Sequence, residues 1–269
     1  MTYPWRAATV ESGGETIYFE VTGADDAPAV VLTHGAGGSH AAWFQQVPAL
    51  AAAGYRVATW DSRGFGLSTF ASGVLGTDAA VVDLGAVLDS IGIERAHLVG
   101  QSMGGWWVTA FALAHPDRVV SLTLSNTIGG LWTTPLADHF RTFVETVGAS
   151  DENQLGIHSA LSPSFVLRDP AHAFLYQQLN TFHAPPMAAI GRALAGAVVE
   201  HATLDALGLR VLVITGTDDA LFPAPLVIDS AARLADVTIV EIAGAGHSPY
   251  FERPDEYNAA LLEFLRYET

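Results

Sequence analysis

A serine, a carboxylate and a histidine set far apart in the chain are the residues from which this sequence could build a nucleophilic site. Ser102 stands in Gly100-Gln101-Ser102-Met103-Gly104, after the apolar run Ala96-His97-Leu98-Val99 and before a helix-like segment rich in alanine and aromatic residues, Gly104 to His115. A serine in G-x-S-x-G between a strand and a helix sits on a sharp turn that presents its hydroxyl. Small residues are needed at Gly100 and Gly104, where side chains would clash with the neighbouring strand and helix. A neutral hydroxyl is a poor nucleophile, so a histidine must take its proton while the bond to carbon forms. A carboxylate must then orient the ring and stabilise the imidazolium. The run Val211-Thr215 ends in Gly216-Thr217-Asp218-Asp219-Ala220-Leu221-Phe222-Pro223, and the last strand-like run enters Ala243-Gly244-Ala245-Gly246-His247-Ser248-Pro249. Nucleophile, acid and base then follow in the order Ser102, Asp219, His247.

Composition removes the competing covalent chemistries. The 269 residues include no cysteine, and all 12 basic residues are arginine. That excludes Schiff-base and pyridoxal-lysine chemistry, a P-loop lysine, a thiolate nucleophile and disulfides. The 28 acidic residues leave a net charge of −16, which repels nucleic acid and anionic membrane surfaces. The expected partner is a small neutral or cationic substrate, with no nucleic acid and no membrane. No dinucleotide fingerprint is present. His139, His158, His172, His183 and His201 lack the close H-x-x-x-H or H-x-H spacing of a metal site. No metal and no cofactor are expected, and water is the co-substrate. The start Met1–Arg6 lacks the basic start followed by an apolar run that a secretory signal requires, and no window reaches the length of a membrane span, so a soluble, cytoplasmic protein is expected.

The elements that must position these residues can be read from the apolar runs. Strand-like runs occur at Thr16–Val21, Val30–Thr33, Val57–Trp60, Ala96–Val99, Ser121–Leu124, Val211–Thr215 and Thr238–Ile242. Their continuous Val/Leu/Ile character suits strands buried on both faces of a mostly parallel sheet. Helical patterns lie at Ala41–Ala53, Asp78–Ser90, Gly104–His115, Pro225–Leu234 and Pro254–Phe264. The alternation breaks over residues 127–207, where prolines interrupt short helical patterns and no strand-like run appears. That stretch reads as an inserted helical lid on an α/β core formed by residues 1–126 and 208–269. With 50% hydrophobic and 15% charged residues the chain can bury a substantial core. His34-Gly35-Ala36-Gly37-Gly38 and Asp61-Ser62-Arg63-Gly64-Phe65-Gly66-Leu67-Ser68 each follow a strand, at the sheet edge where open α/β folds place their sites.

The blocks HGAGG, DSRGFGLS, GQSMGG, GTDDALFP and GAGHSPYFERP, in this order and spacing, resemble the α/β-hydrolase fold family over nearly the whole chain. Within it the sequence is most similar to lidded serine hydrolases: enol-lactonases, small carboxylesterases and meta-cleavage C–C hydrolases. The resemblance implies an eight-stranded, mostly parallel sheet whose second strand is antiparallel. It also implies that Asp219, rather than Asp218, is the acid, since consecutive side chains cannot both face His247. The oxyanion hole falls to the backbone N–H groups of Ala36 and Met103. The expected activity is hydrolysis of an ester or lactone with a small, largely apolar acyl part through an acyl-serine intermediate. The alternatives are a C–C hydrolase of a vinylogous diketone, a cofactor-free dioxygenase and a small-molecule receptor that retains the triad. The dioxygenases resembled by Ser102-Met103-Gly104-Gly105-Trp106 carry histidine where Met103 stands, which weighs against that alternative.

Trp43, Trp106, Trp132 and Phe182 are the expected substrate-binding residues, lining an apolar cavity between lid and core. Trp106 and Trp107 are adjacent on a helix and point in different directions, so one lines the pocket and the other is core. The remaining polar residues have structural readings. His34 shapes its turn, Asp61 and Arg63 brace their own loop as an ion pair or cap, His97 is structural, and His115 meets the last carbonyls of a helix. Arg141, Arg168 and Arg192 are surface residues that could grip a substrate carboxylate.

Overall fold

The computed structural model describes residues 4–147, 158–180 and 184–266. A hairpin opens the chain: β1 (Trp5–Ser12) and β2 (Glu15–Thr22) pair antiparallel from Ser12↔Glu15 to Trp5↔Thr22. Gly13 and Gly14 make its two-residue turn with φ of 55° and 82°, the left-handed pair that matches the twist of flanking strands. The sheet continues with β3 (Ala29–Thr33), β4 (Arg56–Trp60), β5 (Ala96–Gln101), β6 (Val119–Ser125), β7 (Arg210–Gly216) and β8 (Val237–Ile242). These form one eight-stranded sheet in the order β1-β2-β4-β3-β5-β6-β7-β8. β2 runs antiparallel to both neighbours, and every pairing from β4 to β8 is parallel.

Strands β3, β4 and β5 are buried along their whole length, and side-chain alternation divides them between two cores. Val31, Ala58, Leu98 and Val213 face α2 (Thr77–Ser90) and α3 (Met103–Ala114), in a core with Leu84, Leu88, Trp107 and Phe111. Val30, Leu32, Val99 and Leu212 face the other layer, with Leu50 of α1 (Gln46–Ala52) and Tyr257, Leu261 and Phe264 of the C-terminal helix (Pro254–Leu265).

Two elements differ from expectation. β1 carries no apolar alternation, because it is an edge strand with mostly exposed residues and one hydrogen-bonded neighbour. The helix expected over Ala41–Ala53 is divided into a 3-10 turn at His40–Trp43 and α1. Pro48 causes the break. In a continuous helix its ring would meet the carbonyl of Phe44, whereas in the first turn of α1 its missing N–H costs nothing.

Between β6 and β7 the described residues hold helices only: α4 (Thr134–Val147), α5 (Pro163–Arg168), α6 (Pro170–Leu179), α7 (Met187–Ala195) and α8 (His201–Asp205). Ser162 and Asp169 cap α5 and α6 by accepting from the N–H groups of Phe165 and His172. The chain then completes the sheet with α9 (Ala224–Ala231) between β7 and β8, followed by α10 (Pro249–Glu252) and α11 (Pro254–Leu265). Among the described residues no helix is long and apolar enough to cross a membrane.

Candidate active site

Strand β5 hands the chain to α3 through one residue, Ser102, whose backbone adopts φ 49° and ψ −121°. Left-handed φ is disfavoured for any residue with a Cβ, so packing must impose it. The glycines around it show how. A Cβ on Gly104 would fall on the carbonyl oxygens of Thr33 and His34, and one on Gly100 would lie 2.6 Å from the Gly104 carbonyl carbon and from Val108 Cγ2. Ser102 N–H donates to the Ser125 carbonyl at 3.0 Å, tying the turn to β6. Ser102 is thus held at the first turn of a twelve-residue helix, at its positive end.

The turn after β3 lies against this serine, for a Cβ on Gly35 would come within 2.9 Å of Ser102 Cβ. Among the described residues the N–H groups of Ala36, in that turn, and Met103, at the first position of α3, donate to no backbone carbonyl. Fixed donors of this kind can bind a developing oxyanion. His34 stiffens the turn, with Nδ1 donating to the Gly35 carbonyl at 2.7 Å and Nε2 accepting from Ser62 N–H at 3.0 Å. Burial pushes its pKa down, in keeping with this neutral ring.

Asp219 follows β7 and is shielded from solvent, whereas Asp218 is exposed with its carboxylate against Thr217 Oγ1. Each Asp219 oxygen takes two donors. Oδ1 accepts from the N–H groups of Leu221 (2.9 Å) and Phe222 (3.0 Å). Oδ2 accepts from His247 Nδ1 and from Asn126 Nδ2, both at 2.8 Å. A carboxylate only accepts, so the proton of a neutral His247 ring sits on Nδ1. Nε2 is buried without a hydrogen-bond partner among the described residues, and in that tautomer it is a base.

Three side chains from three elements fix the loop that carries His247. Gln101 of β5 donates to the His247 carbonyl at 3.0 Å, Asn126 donates to the Gly246 carbonyl at 3.1 Å, and Glu252 of α10 accepts from Gly246 N–H at 2.9 Å. Glu252 also accepts from Ser162 N–H at 3.0 Å, fastening the stretch before α5 to the same loop. Burial raises the Glu252 pKa, and the N–H donors of Ser162 and Gly246 partly offset it. Gln101 and Glu252 stand inside two of the sequence blocks but were given no role there, and Asn126 stands in none. Their polar atoms meet the loop only through folding.

A cluster of aromatic rings stands beside His247. Phe222 lies 5.7 Å from the His247 ring, Phe140 of α4 stacks on Phe222 at 5.5 Å, and Trp106 and Trp132 lie 6.1 and 6.4 Å from Phe222. Trp106 Nε1 donates to the Ala197 carbonyl, so its polar edge is satisfied within the protein. Sequence reasoning named Trp106 and Trp132 and missed Phe140 and Phe222. Trp107 is core, fully buried.

Trp43 requires a correction. It packs on Tyr250 at 4.8 Å in the core facing α11, whereas Trp106, Phe222 and the rings around them belong to the other core, so Trp43 stands apart from the aromatic cluster beside His247. Phe182 lies outside the described residues. Asp61 and Arg63 do not pair with each other. Asp61 accepts from the backbone N–H and Nδ1 of His40 and from Leu67 N–H. Arg63 instead forms a buried bidentate pair with Asp83 of α2, both contacts 2.7 Å, because its guanidinium points under β1, where Ser12 also meets Asp83. His158, before α5, packs on the Tyr176 ring at 5.1 Å. Burial first, and then the charge of His247, hold its pKa below the usual histidine range.

Comparison with known proteins gives the same outline. A profile of the alpha/beta hydrolase fold family matches residues 28–254. The candidate carbamate hydrolase RutD of Variovorax paradoxus is 33% identical over 261 residues, spanning 93% of this chain and 96% of that protein. 3-Oxoadipate enol-lactonase 1 of Acinetobacter baylyi is 30% identical, over 94% of each chain. The crystal structure of the esterase RhEst1 from Rhodococcus sp. ECU1013 superposes with a TM-score of 0.80 at 26% identity, over 99% of both chains.

Proposed function

The chain belongs to the alpha/beta hydrolase fold family, and from that membership we propose that it is a serine hydrolase cleaving an ester or lactone of a small, largely apolar substrate. The observation that carries this reading is the 2.8 Å bond from His247 Nδ1 to a buried Asp219, which leaves Nε2 without a partner among the described residues, in a fold that also presents the strained Ser102 at its strand-to-helix turn. Ser102 Oγ attacks the substrate carbonyl while Nε2 takes its proton, and Asp219 stabilises the imidazolium. The oxyanion is bound by the N–H groups of Ala36 and Met103. The intermediate collapses as His247 returns the proton to the departing alkoxide. Water, deprotonated by the same ring, then releases the acid and restores Ser102.

Trp106, Trp132, Phe140 and Phe222 supply the apolar wall for the acyl part, and the helices α4 to α8 act as the lid over it. The relatives support the ester and lactone readings through the esterase and the enol-lactonase. A carbamate ester is the second reading, favoured by the 33% identity to RutD, and the same nucleophile and oxyanion donors serve its carbonyl. The test is a fluorophosphonate probe combined with a panel of p-nitrophenyl esters of graded length, lactones, a carbamate ester and a vinylogous diketone. Ser102 should be the labelled residue, and Ser102→Ala should lose about 10⁴-fold or more in kcat while keeping its fold. Near-wild-type turnover by Ser102→Ala would overturn the reading.

A further inference from the structure

Asn126 hydrogen-bonds through one side-chain nitrogen to both the acid and the loop of the base. It follows β6 directly, is 0% exposed, and holds φ 47°, left-handed like Ser102. Its backbone N–H donates to the Ile214 carbonyl of β7 at 2.8 Å, so the residue is pinned against the strand that leads to Asp219. Its amide orientation follows from its neighbours. Both groups within reach of Nδ2, Asp219 Oδ2 at 2.8 Å and the Gly246 carbonyl at 3.1 Å, can only accept, so the NH₂ must face them. Oδ1 is then left buried without a partner among the described residues. Asparagine tolerates the left-handed region better than most residues, yet this one also accepts an unpaired buried oxygen.

We propose that Asn126 is a positioning residue that clamps Asp219 and the His247 loop in register, so that Oδ2 of Asp219 stays directed at Nδ1 of His247. This rests on the serine-hydrolase reading above. Asp219 Oδ2 has two donors, and one of them is the ring it must orient. Without Asn126, Oδ2 keeps a single partner, and the carboxylate can rotate about its remaining bonds from Leu221 and Phe222. The Gly246 carbonyl loses its tie at the same time, one residue before His247.

Asn126→Gly is the informative variant, since glycine adopts the left-handed backbone freely and only the amide is removed. In the wild-type background it should lower kcat by about 10–100-fold, as loss of a hydrogen bond to a charged group does, with KM changed by less than about threefold. In an Asp219→Asn background the same change should cost less than about twofold, because the carboxylate it serves is gone. A loss of equal size in both backgrounds, or none in the wild type, would overturn the proposal. A readout independent of turnover is the downfield proton resonance of His247 Nδ1, identified by its absence in His247→Gln. It should broaden or shift upfield in folded Asn126→Gly, and an unchanged resonance would again overturn the clamp. Failure of the wild type to label at Ser102 would sink the hydrolase reading, and the resonance would still decide the role of Asn126.

Discussion

Replacing Asp219 by asparagine should disable the enzyme by changing the tautomer of His247 rather than by removing a charge alone. The four donors around Asp219 show why. An asparagine has one acceptor oxygen. If that oxygen stays under the N–H groups of Leu221 and Phe222, its NH₂ meets His247 Nδ1–H and Asn126 Nδ2, donor against donor. The ring relieves the conflict by moving its proton to Nε2, which can then no longer accept from Ser102. If the amide turns the other way, two buried backbone donors lose their acceptor at about 1–3 kcal/mol each. The first arrangement is therefore preferred, and it leaves the ground state folded and the base lost. The expected fall in kcat is about 10³–10⁴-fold, or about 4–5.5 kcal/mol of transition-state stabilisation. Asp218 is exposed and its carboxylate accepts from Thr217 Oγ1, so Asp218→Asn should stay within about twofold. Both variants would be assayed with the best p-nitrophenyl ester of the panel, alongside thermal melts to establish folding. Equal losses in the two, or an Asp219→Asn enzyme within about tenfold of wild type, would refute the assignment of the acid and the tautomer argument with it.

His97 is 2% exposed, and burial, followed by the charges of Arg210 and Arg95, lowers its pKa to about 4. The unfolded chain therefore binds the extra proton first, and stability falls by up to about 3 kcal/mol as pH drops from 6.5 to 4. Urea midpoints at pH 7 and 4.5 should converge for His97→Gln relative to wild type, and parallel losses in the two proteins would refute this. Asp83→Asn strands the buried Arg63 guanidinium and should cost about 3–5 kcal/mol, while Arg63→Met added to it recovers part of the loss. Thermal or urea unfolding decides, and a single variant within about 1 kcal/mol of wild type would argue against the pair. Trp132→Ala opens space between Trp106 (5.9 Å) and Phe140 (5.4 Å). The ratio of kcat/KM for long over short acyl esters should rise by about tenfold with the chemistry intact, and an unchanged ratio would remove Trp132 from the acyl wall.

Interior strands and the candidates Ser102 and His247 were legible in the sequence because each is a local pattern: an apolar run, a glycine-flanked serine, a histidine after a strand; Asp219 was preferred to Asp218 through the family resemblance. What escaped depends on contacts distant in sequence. β1 showed no alternation because an edge strand need not bury a face. Asp61 and Arg63 were read as bracing their own loop, as an ion pair or a cap; Asp61 does accept from Leu67 N–H, but the fold carries Asp83 to the Arg63 guanidinium from α2. Trp43 has the size and apolarity of a pocket residue, and only its packing on Tyr250 shows that it fills the interior. Asn126, 93 residues from Asp219 in sequence, lies in no motif, and its two hydrogen bonds exist only once β6, β7 and β8 lie side by side.

The backbone of Ser102 carries a consequence for how such a protein evolves. A left-handed conformation on a residue with a Cβ stores about 1–3 kcal/mol, and φ 49° with ψ −121° is a region that glycine enters without strain. Ser102→Gly should therefore be more stable than Ser102→Ala. Mutational drift judged by stability alone favours emptying this position, and so does any laboratory screen that selects survivors of heat without asking them for turnover. The serine persists in a lineage only while its hydroxyl is being used.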